Sequence, residues 1–261
     1  MAEMPDPTDA SPPAGPKPRR MHILQLLPNL VSILALCCGL TAIRFAIDGR
    51  FASAVALIGL AAALDAADGR LARMLKSESA IGAELDSLSD FVNFGVTPGL
   101  VVYLWGLKGD ASLGWIAVLI YAVCCILRLA RFNVGNKAAP KGDAPERTTF
   151  IGVPSPAGAM LVLVPIYFTF ASGGTVLLPK ALIELWMVAM GVLMISRIRT
   201  PSLKRVTVAT DYARYFLVLG MAVIAALVTY PWVTLLTLAL AYLVAIFFLW
   251  RRAARQDRKV S

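Results

Sequence analysis

Histidine is all but absent from this chain: His22, ahead of the first long apolar run, is the only one, which argues against catalysis by a histidine. Charge is scarce as well. Only 16% of the 261 residues are charged while 58% are hydrophobic, and the mean hydropathy is +0.72, a balance that excludes an ordinary soluble domain of this size. The four cysteines form neither a disulfide framework nor a CxxC pair. Cys37 with Cys38 and Cys124 with Cys125 are adjacent inside apolar runs, the usual setting of buried, reduced thiols. Residues 1–20 lack an apolar core; they hold six prolines and end in Lys17, Arg19 and Arg20. That composition predicts a disordered cytoplasmic tail rather than a signal peptide.

What fills the chain instead is a series of apolar runs long enough to cross about 30 Å of hydrocarbon at about 1.5 Å per residue. They fall near 24–43, 51–66, 89–106, 113–130, 154–171, 181–196, 213–229 and 231–250. None shows the dyad alternation of a lipid-facing barrel strand, so an all-α polytopic membrane protein of about eight helices is expected, with residues 21–250 as one transmembrane catalytic domain. The net charge of +9 raises the possibility of nucleic acid, but its placement does not fit that partner. With a cytoplasmic amino terminus, every Lys and Arg except Arg44, Arg50, Lys108 and Lys180 falls on a cytoplasmic segment. Both termini are then cytoplasmic, and the basic tail over 251–261 suits anionic lipid headgroups.

The informative polar stretch runs from Asp65 to Asp90. Asp65, Asp68 and Ala72 share one helical face at i, i+3 and i+7, and Gly82, Asp86 and Asp90 repeat every four residues on the next helix. Four carboxylates can therefore converge between two antiparallel helices at the membrane interface. Like charges so near low dielectric need a positive partner. Carboxylate oxygens suit Mg²⁺ or Mn²⁺, and two such ions could hold the attacking and leaving oxygens of a phosphoryl displacement. The glycines at 69 and 82 would let a pyrophosphate or a neighbouring helix approach the backbone, and Arg73 offers a permanently charged phosphate clamp. The plainer alternative is a set of solvated helix ends paired with Arg70, Arg73 and Lys76. A cation transporter is a further one, although it leaves Gly69, Arg73 and Gly82 unexplained.

The pattern D-x2-D-G-x2-A-R-x8-G-x3-D-x3-D is met at every position by Asp65, Asp68, Gly69, Ala72, Arg73, Gly82, Asp86 and Asp90. In this the chain resembles the CDP-alcohol phosphotransferase family. The resemblance implies a six-helix catalytic core, here with about two further carboxy-terminal helices, and a two-metal site of Mg²⁺ or Mn²⁺. It makes Asp65, Asp68 and Asp86 metal ligands, and Asp90 both a ligand and the general base in displacement of CMP by an alcohol. It implies CDP-diacylglycerol contacts at Asn29 and Ser32 in PNLVS, at Asp68, Gly69, Ala72, Arg73 and Gly82, and at Ser79 through its hydroxyl. For Asn29 and Ser32, hydrogen bonding between helices is the other reading. It also implies a homodimer in a bacterial cytoplasmic membrane, with the active site on the cytoplasmic side.

The acceptor is a separate matter, because the signature is shared by members using serine, inositol or glycerol phosphate. FVNFGVTPG after Asp90, RLARFN at 128–133, FIGVPSPAG at 150–158 and SRIRTPS at 196–202 resemble the branch that uses L-serine. These segments add Asn93, Arg128, Arg131, Pro154 and Ser155 as acceptor- or phosphate-binding candidates. Arg128 and Arg131 are i, i+3 neighbours suited to a phosphate or a carboxylate; anchoring at the cytoplasmic face is the competing use of both. The Gly and Pro density over 152–158 interrupts regular helix, which at that depth needs cover from protein or from a water-filled cavity. An ordinary loop is the alternative.

Overall fold

The computed structural model describes residues 27–75, 79–109, 112–137, 149–176, 178–196, 199–201 and 213–257. The expected tail at 1–20, His22 and Lys76 lie outside these residues. Two helices lead, α1 (Leu27–Ile47) and α2 (Phe51–Leu75), joined by a turn in which Gly49 takes a φ of +75°. A third helical run fills residues 80–107: α3 (Ala80–Asp90), a π turn (Phe91–Val96), α4 (Thr97–Val102) and a second π turn (Tyr103–Leu107). Then come α5 (Leu113–Lys137), α6 (Ser155–Val162), α7 (Val164–Ala171), α8 (Lys180–Ile195), α9 (Ala213–Thr229) and α10 (Pro231–Asp257). The expected all-α membrane bundle is what the chain forms. Leu27–Ile47, Phe51–Leu75, Leu113–Gly135 and Pro231–Arg251 are each long and apolar enough to span a bilayer unbroken, which makes the protein multi-pass.

Two of the expected spans are interrupted, for the same reason. Pro98 has no N–H to give the carbonyl of Phe94, and the buried Tyr121 hydroxyl donates there instead at 2.9 Å. Pro165 likewise leaves the carbonyl of Leu161 without its helical donor, and Trp186 Nε1 fills the place at 2.9 Å. The first break widens the helix into a π turn. The second divides the expected single span over 154–171 into α6 and α7 at Leu163. A neighbouring side chain thus satisfies each freed carbonyl, as a bilayer interior requires. One small antiparallel ladder, β1 (Thr149–Ile151) with β2 (Arg199–Pro201), was not expected from the sequence; Phe150 lies opposite Thr200.

Helix packing rests on small residues, since lipid supplies no hydrophobic drive between helices. The buried stripe of α1 is Ser32, Ala35, Gly39, Ala42 and Ala46, and α2 offers Ala54, Val55, Ile58 and Ala61. These spacings let the two backbones approach along most of their length. The elements alternate in direction: Ser32, early in α1, meets Asp68, late in α2, and Phe170, near the end of α7, stacks 4.6 Å from Trp232, at the start of α10. The late residues of α2, α5 and α8 therefore gather with the starts of α1, α3 and α6 at one end of the bundle. Arg44, Arg50, Lys108 and Lys180 lie on turns and helix ends at the other.

Candidate active site

Local sequence builds the site from three helix ends. α2 carries Asp65 and Asp68 one turn apart and continues unbroken through Ala72 and Arg73 to Leu75. α3 starts where Ser79, in extended conformation, accepts the Gly82 N–H on its hydroxyl at 3.0 Å, an N-cap that fixes the helix register. Asp86 and Asp90 then fall on one face of α3. Gly82 earns its place by contact: a Cβ there would sit 2.8 Å from Asn29 Oδ1 and 3.0 Å from Ser79 Oγ. Its absence lets the first turn of α3 press on the first turn of α1. At Gly69, by contrast, a Cβ would meet nothing within 4 Å, so that position opens onto space rather than onto a neighbouring helix.

The carboxylates converge as the spacing predicts. Asp65, Asp68 and Asp86 each present an oxygen within 4.8 Å of the others, and Asp90 comes within hydrogen-bonding reach of Asp65. Asp68 is 3% exposed; its Oδ2 accepts the Ser32 hydroxyl at 2.6 Å while its Oδ1 has no partner. Asp90 Oδ1 is also buried and unpartnered. Burial, and after it the charges of Asp65 and Asp68, push the Asp86 carboxyl up from its ordinary 3.8 to about 6. Arg128 faces Asp65 and Asp90 from α5, but one guanidinium does not balance four carboxylates. Hard oxygen donors, orphaned lone pairs and uncompensated negative charge together fit divalent cations.

Arg128 lies beside this cluster. It donates from Nη1 to Ser155 Oγ, its Nε is buried without a partner, and Cys125 packs against the same serine at 3.8 Å. Ser155 is fully buried at the first turn of α6, with Pro154 as its N-cap. Other candidates are placed differently. Arg131 donates to the carbonyl of Ile195 at 3.1 Å and so caps the end of α8. Asn93, grouped by sequence with the acceptor contacts, is buried; it donates to Ser89 Oγ at the end of α3 at 3.2 Å and its Oδ1 lies against Gly39 of α1. Arg73 is exposed on the last turn of α2. The break at 152–158 is covered by protein: Gly152, at a φ of +84°, leaves no room for a Cβ, which would fall 2.3 Å from Met194 O.

Sequence reading did not single out Ser89, Asn133 or Tyr242. Ser89 donates to the backbone carbonyl of Ser32 at 3.2 Å, and Asn133 donates to Ser87 Oγ at 2.9 Å, tying α5 to α3. Tyr242, on α10, faces Arg128. Its neighbour in sequence gives no hint of this, but the serine beside Asp90, four residues before Asn93, was a visible signal for Ser89.

Fold and site together define a multi-pass membrane protein with a carboxylate cluster fit for divalent metal at one end of its helix bundle. Residues 25–196 match the sequence model described as CDP-alcohol phosphatidyltransferase. Over 235 residues the chain is 40% identical to the CDP-diacylglycerol–serine O-phosphatidyltransferase of Mycobacterium leprae, covering 89% of this chain and 77% of that one. Proteins of the same name from Helicobacter pylori and Bacillus subtilis are 33% and 32% identical, over 70% of this chain and over 75% and 93% of theirs. The chain belongs to the CDP-alcohol phosphatidyltransferase family.

Proposed function

We propose that this protein transfers the phosphatidyl group of CDP-diacylglycerol to the hydroxyl of L-serine, forming phosphatidylserine and releasing CMP. The observation that carries the reading is the convergence of Asp65, Asp68, Asp86 and Asp90 on the family's spacing, in a chain whose relatives bear the serine transferase name. These four residues would hold two Mg²⁺ or Mn²⁺ ions, which supply charge neutralisation for the diphosphate and for departing CMP.

The chain's own side chains account for the remaining tasks. Open space over Gly69 leaves room for the diphosphate beside α2, and Arg73 can swing in from the exposed last turn to neutralise it. Asn29 and Ser79, brought together at Gly82, form the nucleotide side with Ser32 further along α1, and Ala72 is small enough to leave that face of α2 accessible. Asp90 takes the proton of the serine hydroxyl on its unpartnered oxygen. The serine oxygen bonds to the phosphorus that carries diacylglycerol as the bond to CMP breaks. Arg128, with a free Nε and its Nη1 on Ser155, receives the serine carboxylate.

The same reading puts the protein in a bacterial cytoplasmic membrane as a homodimer, with both termini and the site on the cytoplasmic side. The isolation of Arg44, Arg50, Lys108 and Lys180 at the far end of the bundle supports that orientation. The test is CMP release by purified protein given CDP-diacylglycerol and Mn²⁺ or Mg²⁺, with L-serine, inositol or glycerol 3-phosphate supplied singly and Asp90→Asn as control. Serine-dependent release that the control abolishes is expected. Release with another acceptor alone overturns the serine assignment, and release that survives Asp90→Asn overturns the assigned base.

A further inference from the structure

Four buried side-chain atoms lack a hydrogen-bond partner among the described residues: Asp68 Oδ1, Asp90 Oδ1, Asn93 Oδ1 and Arg128 Nε. Three belong to the carboxylate cluster or face it. The fourth does not. Asn93 sits in the π turn over Phe91–Val96 at 1% exposure, and its Oδ1 points into the space over Gly39, where a Cβ would lie 2.1 Å away. An amide oxygen left bare in the middle of a bundle is destabilising, and buried polar groups inside a membrane are kept for function. The use for this one lies on its other side, at the nitrogen.

Asn93 Nδ2 donates to Ser89 Oγ at 3.2 Å, Ser89 Oγ donates to the backbone carbonyl of Ser32 at 3.2 Å, and Ser32 Oγ donates to Asp68 Oδ2 at 2.6 Å. All three donors run in one direction, from the helix interior toward the cluster. Because the amide N–H occupies a lone pair of Ser89 Oγ, the serine's single proton is committed to α1. That contact holds α1 at Ser32, whose hydroxyl takes one oxygen of Asp68 and leaves the other without a partner. We propose that Asn93 is a positioning residue for Asp68, acting through Ser89 and the α1 backbone at Ser32 to fix which carboxylate oxygen is offered to a divalent cation. Gly39 belongs to the same device, since any side chain there would displace the amide. The inference rests on the metal-site reading above.

Mn²⁺ affinity tests it without reference to turnover. Free Mn²⁺ would be titrated by electron paramagnetic resonance against purified protein without CDP-diacylglycerol, with thermal unfolding recorded on the same samples. Asn93→Ala and Ser89→Ala should each weaken binding about tenfold, the usual cost of losing an outer partner of a metal ligand. The double variant should be no weaker than either single one, because both act along one path. Thr97→Val supplies the structural control. Thr97 lies one turn further on and donates to Gly39 O at 3.4 Å, so its loss should lower thermal stability and leave Mn²⁺ affinity unchanged. Additive losses in the double variant, or equal weakening by Thr97→Val, would overturn the inference. Should Asn93→Ala not fold, Ser89→Ala carries the test alone, and unchanged affinity in it is enough to reject the idea. An unsubstituted protein that binds no Mn²⁺ at all would sink the metal-site reading and this inference with it.

Discussion

The two ends of the bundle are built on opposite terms. At the far end, Ala42, Ala46, Ala54, Val101, Val102 and Leu107 are packed almost to zero exposure and present no polar side-chain atom. At the site end, the same helices bury Ser32, Asp68, Ser89 and Asn93, and every unpartnered buried side-chain atom among the described residues lies there or on the seam leading to it. One end is held by shape, through small residues that let backbones touch. The other holds like charges and bare lone pairs that would separate if the first end were loose. Stability and chemistry are thus divided along the membrane normal, and substitutions at the two ends should separate in what they change.

The largest separation is expected from Asp90→Asn. Removing a carboxylate from the cluster should lower CMP release by about 10³-fold, because several kcal/mol of charge stabilisation depends on the ligand set and each 1.36 kcal/mol is tenfold. The unfolding temperature without metal should stay level or rise, since one uncompensated buried charge is gone. A fall in that temperature matching the loss of activity would show that the site end also holds the fold.

Metal removal comes next. At about 100 times its dissociation constant, Mn²⁺ should stabilise the protein by about 2.7 kcal/mol over the chelated form, and Asp68→Asn should abolish the difference. Ala42→Leu is the far-end counterpart. It inserts three carbons at a position with no exposed surface, at a steric cost of about 1–3 kcal/mol, read as a lower unfolding temperature. The Mn²⁺-induced increment should survive in it unchanged. An increment lost in Ala42→Leu would dissolve the division between the ends.

Much of this was legible in the sequence, and what was not has definite causes. Helix positions followed from the length of the apolar runs, and the carboxylate cluster followed from spacings of three and four on either side of a short polar link. Those are local signals. The division of residues 154–171 at Leu163 depended on Pro165, whose consequence was set by Trp186 on a different helix. The π turn before Pro98 similarly depended on Tyr121. Asn93 was grouped with the acceptor contacts by the segment that contains it, and that segment does not reveal that its amide donates to Ser89 one turn back and lies against Gly39 of α1. Periodicity reports which face a residue occupies; it does not report which of two neighbouring helices that face meets.

The smallest effect, and the one that separates the ends most finely, is the response to pH. Asp86 titrates near 6 in the absence of metal, above its ordinary 3.8, because burial and the neighbouring Asp65 and Asp68 penalise its charge. The folded protein therefore holds this proton more tightly than the unfolded chain does. Its contribution to metal-free stability is complete below about 3.8 and is lost as pH rises through about 6. Mn²⁺ affinity should run the other way, rising by up to about tenfold per pH unit for the Asp86 proton as the pH approaches 6, then less steeply once Asp86 is ionised. Asp86→Asn should flatten both curves between pH 4 and about 6. Ala42→Leu should displace the stability curve downward without altering either slope, because it leaves the carboxylate cluster and its ionisable groups untouched. Opposite slopes in the parent protein that vanish only in the site-end variant would tie the proton, the metal and the cluster to one place in the fold.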